Sequence, residues 1–75
     1  MQAPISVDGG WVVDVRYWGR PRERFYVGLG DAEAAVKCVG GAIKAGRGHT
    51  LHAFRRLSKT HAKLLRLKPG ELRAI

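Results

Sequence analysis

Asparagine is absent from this sequence, cysteine occurs once, and the aromatic residues amount to two Trp, two Tyr and two Phe. With Cys38 alone, no intramolecular disulfide can form and the zinc sites built on paired cysteines are excluded, which fits a reducing compartment. No apolar run approaches the ~20 residues needed to cross a bilayer, so no membrane span is expected. The opening Met1 to Asp8 lacks the basic n-region and apolar stretch of a secretory leader, and the expected location is cytoplasmic. Nine Arg to five Lys, ten Gly and no Asn give the composition of a chain from a GC-rich bacterial genome.

What is present describes a folding chain. At 75 residues, with 45% apolar and 27% charged content, residues 1–75 are read as a single small basic domain with one core. A chain this short buries only about 60 to 65% of the surface its unfolded form exposes, so modest stability is expected. The net charge of +8 is unevenly distributed. Residues 1–38 carry five Lys/Arg and five Asp/Glu, whereas residues 39–75 carry nine Lys/Arg against Glu71 alone.

Trp11, Val13, Val15 and Tyr17 alternate with Val12, Asp14, Arg16 and Trp18, the period-2 pattern of a half-buried strand. Gly19-Arg20-Pro21-Arg22 supplies turn chemistry, and Arg24 to Leu29 alternates again, giving a β-hairpin. Asp31 is a suitable N-cap for a helix that places Ala32, Ala35, Val36, Val39 and Ile43 along one stripe. Gly40-Gly41 weaken its interior, and Ala45 to His49 must end it.

The segment from Thr50 to Leu67 admits two readings within an α+β class. Periodicity allows one long amphipathic helix with Leu51, Phe54, Leu57, His61, Leu64 and Leu65 on its apolar side, giving ββα followed by that helix. The alternative is ββαβα. There Thr50 to Leu57 is a third strand, Ser58 caps a short helix ending near Leu67, and Lys68-Pro69-Gly70 closes it before a tail from Glu71 to Ile75. The strand is preferred because a two-stranded hairpin is marginal in water. The ending from Leu57 through Pro69-Gly70-Glu71 to Arg73 resembles those of small uncharacterised bacterial proteins, a resemblance that bears on fold and implies no function.

Lys59, Lys63 and Arg66, at i, i+4 and i+7, form the cationic stripe common to both readings, with Lys44, Arg47, Arg55 and Arg56 assisting. Cations at that spacing suit successive phosphates, so these seven residues are the candidate nucleic-acid contacts. A solvated helix face is the competing reading. The outward side of the hairpin adds Arg16, Trp18, Arg24 and Tyr26, which can stack on bases or clamp a phosphate; Asp14 and Glu23 dilute this set. Trp18 and Tyr26 are alternatively a cross-strand aromatic pair. The run from Trp11 to Cys38 is distantly similar to plant AP2 domains and integrase arm-binding domains, which read DNA with a sheet. It has room for two strands before the helix where those have three, and no residues are carried over.

Gly46-Arg47-Gly48 lacks the Gly-Lys-Ser/Thr of a phosphate loop and follows a helix, so no nucleotide cofactor is expected. His49, His52, His61 and Cys38 show no helical metal spacing, and His61 and Cys38 read as packing residues, so neither a metal nor a catalytic role is expected. The expected partner is nucleic acid or an acidic protein surface. Homodimerisation, which would bury more apolar area, is the alternative without nucleic acid.

Overall fold

Strand alternation in the hairpin produces two apolar layers rather than one. The computed structural model describes residues 9–75, and the leader reading of Met1 to Asp8 lies outside the described residues. In chain order the elements are β1 (Gly10–Tyr17), β2 (Glu23–Val27), α1 (Ala32–Ile43), β3 (His49–Leu57), α2 (Lys59–Leu64) and β4 (Leu72–Ala74). The four strands form one antiparallel sheet in the order β3-β1-β2-β4.

This is the ββαβα order with a short strand added, and the long-helix alternative for residues 50–67 is incorrect. β3 pairs with β1 along its whole length, from Gly10 opposite Leu57 to Tyr17 opposite His49. The helical periodicity of Leu51, Phe54 and Leu57 arises from a β-bulge. Val12 faces Arg55 and Val13 faces Ala53, so Phe54 is an extra residue in β3 and the strand's period of two is broken there.

One face of the sheet is sealed by α1. Val13, Val15 and Val27 pack with Ala35 and Val39 of the helix, with Trp11, Phe25, Leu51 and Leu72 against them. Trp11 also donates its indole N–H to the Gly30 carbonyl at 3.0 Å, tying β1 to the loop before the helix. Asp31 caps α1 as its position implies, accepting from the Ala34 amide at 2.9 Å. Gly40 and Gly41 do not shorten the helix.

Among the described residues, the opposite face is covered only at one end. There Val12 and Leu57 pack with Ala62 of α2 and with Leu67. Ser58 caps α2, accepting from the His61 amide at 3.0 Å. The helix stops at Leu64 instead of running to Leu67 because Leu67 turns into this second core. The Leu67 amide donates to the Ala62 carbonyl and the Arg66 amide to the Lys63 carbonyl, while Arg66 is left-handed (φ 54°), which is a Schellman stop. α1 ends the same way, with Lys44 left-handed and the Ala45 amide donating to the Gly40 carbonyl.

The tail forms β4 and pins the turn before it. The Gly28 amide donates to the Glu71 carbonyl and the Gly70 amide to the Gly28 carbonyl, an approach so close that any side chain at Gly28 would collide with the Lys68 carbonyl.

Candidate functional site

The uncovered end of the second face collects charge. Along β1, alternation turns Asp14 and Arg16 to this face, and β2 presents Arg24 opposite Asp14, with Arg22 just ahead of the strand. Asp14 is 8% exposed and is approached by three guanidinium groups: Arg16 at 3.4 Å, Arg22 at 3.5 Å and Arg24 at 3.5 Å. In each pair the atom at that distance is Nε. Arg24 also stacks on Phe54, its Cζ 4.7 Å from the ring centroid, which fixes the guanidinium plane.

The bulge in β3 brings Phe54 and Arg55 together into a shallow groove that they share with Arg24, Tyr26, His61 and Ile75. Arg16, Arg22 and Arg24 thus cluster on Asp14, the one carboxylate paired with them among the described residues, while Arg55, opposite Val12, joins Arg24 in the groove beside the second core. Glu23, counted in the sequence as diluting this set, faces the α1 side: it is opposite Val15 and lines a depression with Tyr17 and Ile43. Glu71 is engaged elsewhere. It accepts from the Lys68 amide at 2.8 Å and from Arg73 at 2.7 Å, and these two donors hold its carboxyl below the usual glutamate range.

Of the seven residues singled out in the sequence, only Arg55 joins this cluster. Lys44 is the left-handed residue ending α1, and Arg47 lies in the turn before β3. Lys59 and Lys63 belong to α2, whose His61 lines the groove, but neither lysine is among the groove's lining residues. Arg66 falls beyond the end of α2, so the continuous helical stripe of Lys59, Lys63 and Arg66 is not formed. Arg56 is opposite Trp11, away from the groove.

The cross-strand pair of Trp18 and Tyr26 is also absent. Tyr26 is opposite Val12 and packs against the second core, whereas Trp18 lies in the turn after β1 and is 84% exposed. The four side chains weighed as ligands are placed apart. His49 stacks on Tyr17 and accepts from the Gly46 amide, His52 is opposite Asp14, His61 lines the groove, and Cys38 packs half-buried on α1. No helix among the described residues is long and apolar enough to cross a membrane.

No family model, curated protein or solved structure matches this chain.

Proposed function

We propose that this protein is a small bacterial, cytoplasmic binding module that engages nucleic-acid phosphates through the open end of its sheet, without sequence specificity and without catalysis. The supporting observation is the grouping of Arg16, Arg22 and Arg24 around Asp14, the one carboxylate paired with them among the described residues, with Arg55 sharing a groove with Arg24. Guanidinium groups match phosphate oxygens in a planar, two-pronged geometry and bind them more specifically than ammonium groups do. Trp18, and Phe54 at 41% exposure, offer ring faces on which bases can stack, which favours nucleic acid over an acidic protein surface. Apart from Arg55, the cations of residues 39–75 contribute long-range attraction rather than contacts.

Titrating the full chain with labelled random single-stranded and duplex oligonucleotides at rising salt tests the reading. Affinity should fall steeply with salt, with a log–log slope of about −0.7 to −0.9 for each phosphate neutralised. Binding that ignores salt would contradict it.

A second reading rests on a different observation. β3 is an edge strand of nine residues, and among the described residues its outer side pairs with nothing. Two copies joined along this edge would make a continuous sheet, although Arg55 and Arg56 oppose that pairing by repulsion. Sedimentation across a wide concentration range distinguishes a dimer from a monomer.

A further inference from the structure

We infer that Arg16, Arg22 and Arg24 form a discrete receptor for one phosphate group, and that Asp14 is the positioning residue that assembles it. The inference rests on the phosphate-binding reading and goes beyond it, because non-specific backbone contact needs only scattered cations.

The geometry separates two roles within each arginine. Asp14 lies beside the three Nε atoms, at 3.4 to 3.5 Å, so the terminal Nη groups remain for a ligand; they donate no hydrogen bond within the described residues. Asp14 is itself nearly buried, and its Oδ1 accepts no hydrogen bond although Arg22 and Arg24 both approach it. A buried carboxylate oxygen without a hydrogen bond is costly unless neighbouring charge compensates it. Here two guanidinium groups share that one oxygen at ion-pair distance while a third takes Oδ2. The carboxylate is thus saturated with cations, and the cations are not saturated with anions. The cluster keeps an excess of two positive charges, which matches and opposes the two negative charges of a phosphate dianion. Arg24 is held a second time by its stack on Phe54.

Three long side chains of like charge would otherwise repel one another and sample many rotamers. Ordering such side chains on binding costs about 0.5 to 1.5 kcal/mol each, and Asp14 has already ordered them in the free protein. This predisposition makes the role of Asp14 testable by the sign of an effect. If charge alone governed the site, removing a carboxylate beside a bound anion would tighten binding. If Asp14 positions the arginines, removing it loosens binding although the protein becomes more positive.

The experiment follows the side-chain Nε–H resonances of the arginines by NMR while the full chain is titrated with inorganic phosphate and, separately, with a short single-stranded oligonucleotide. In the wild-type protein both ligands should shift Arg16, Arg22 and Arg24 together, ahead of other basic side chains. Asp14→Asn should weaken phosphate binding by about tenfold, the net of lost ordering over reduced repulsion. Circular dichroism and backbone spectra establish that the variant is folded; should it unfold, Arg22→Gln replaces it and should weaken the responses of Arg16 and Arg24 together.

Tighter phosphate binding by Asp14→Asn, or shifts spread evenly over Arg47, Arg56 and Arg66, would overturn the inference. In that event salt-dependent oligonucleotide binding would still support the broader reading. Loss of oligonucleotide binding with phosphate binding intact would refute the broader reading alone.

Discussion

The two ends of the sheet's second face are built on opposite terms. At the α2 end, Val12, Leu57, Ala62 and Leu67 exclude water and join helix to sheet. Toward the turn, β1 and β2 present Arg16 and Arg24, both of them exposed among the described residues. The contrast teaches that one surface can hold a fold and the proposed binding site side by side, provided that a substitution at either end affects one property and spares the other.

Leu57→Ala is the strongest way to break that separation. Leu57 is 1% exposed between Val12 and α2, and its truncation should cost about 2 to 5 kcal/mol by chemical denaturation. Arg24→Ala, at the other end, should change stability by no more than about 0.5 kcal/mol while lowering oligonucleotide affinity. Comparable losses of stability from both variants would erase the distinction.

The Glu71 staple gives an intermediate effect with a direction in pH. Its carboxyl is held below the ordinary range by the Lys68 amide and by Arg73, and Arg73 in turn donates to the Leu65 carbonyl at the end of α2. A carboxyl with a depressed folded-state pKa stabilises the fold at neutral pH, and that contribution is lost as pH falls through the folded value. Glu71→Gln should therefore melt below wild type at pH 7, with the difference closing on acidification, while oligonucleotide affinity at neutral pH is unchanged. A gap that widens in acid would show that Glu71 does not act through its charge.

Two further substitutions sharpen the comparison from the other side. Lys44 and Arg66 occupy left-handed positions at which glycine is relieved of side-chain strain. Lys44→Gly and Arg66→Gly should each stabilise the protein by roughly 1 kcal/mol, measured by thermal melting, and leave the response to phosphate intact. A cation removed for a gain in stability, with no loss of binding, marks a structural position and not a contact.

Much of the fold was legible because it follows local rules. The alternation from Trp11 to Trp18, the capping by Asp31 and Ser58, and the need of a hairpin for a third strand all correspond to observed elements. β4 was not legible, since three residues cannot display a period, and its pairing with Phe25 to Val27 is decided by the docking of Glu71 and Gly70 on Gly28. The early end of α2 depends on Leu67 finding a core that no local pattern reveals. The candidate site was half legible. Arg16 and Arg24 were visible on the hairpin's outer side, but counting charge along the chain gave residues 1–38 as neutral and drew attention to Lys59 and Lys63. Folding sends Asp14 and Glu23 to opposite faces, and the bulge at Phe54 adds Arg55 from the other half of the chain.

The most direct test compares two neutralised pairs in one assay, the salt dependence of oligonucleotide binding. Replacing both Arg22 and Arg24 with glutamine should flatten the log–log slope by about 0.7 to 0.9, the loss of the one phosphate contact they share. Replacing both Lys59 and Lys63 with glutamine should flatten it by less than half of that amount. The reverse order, with the lysine pair dominating, would contradict the placement of the binding surface on the open end of the sheet.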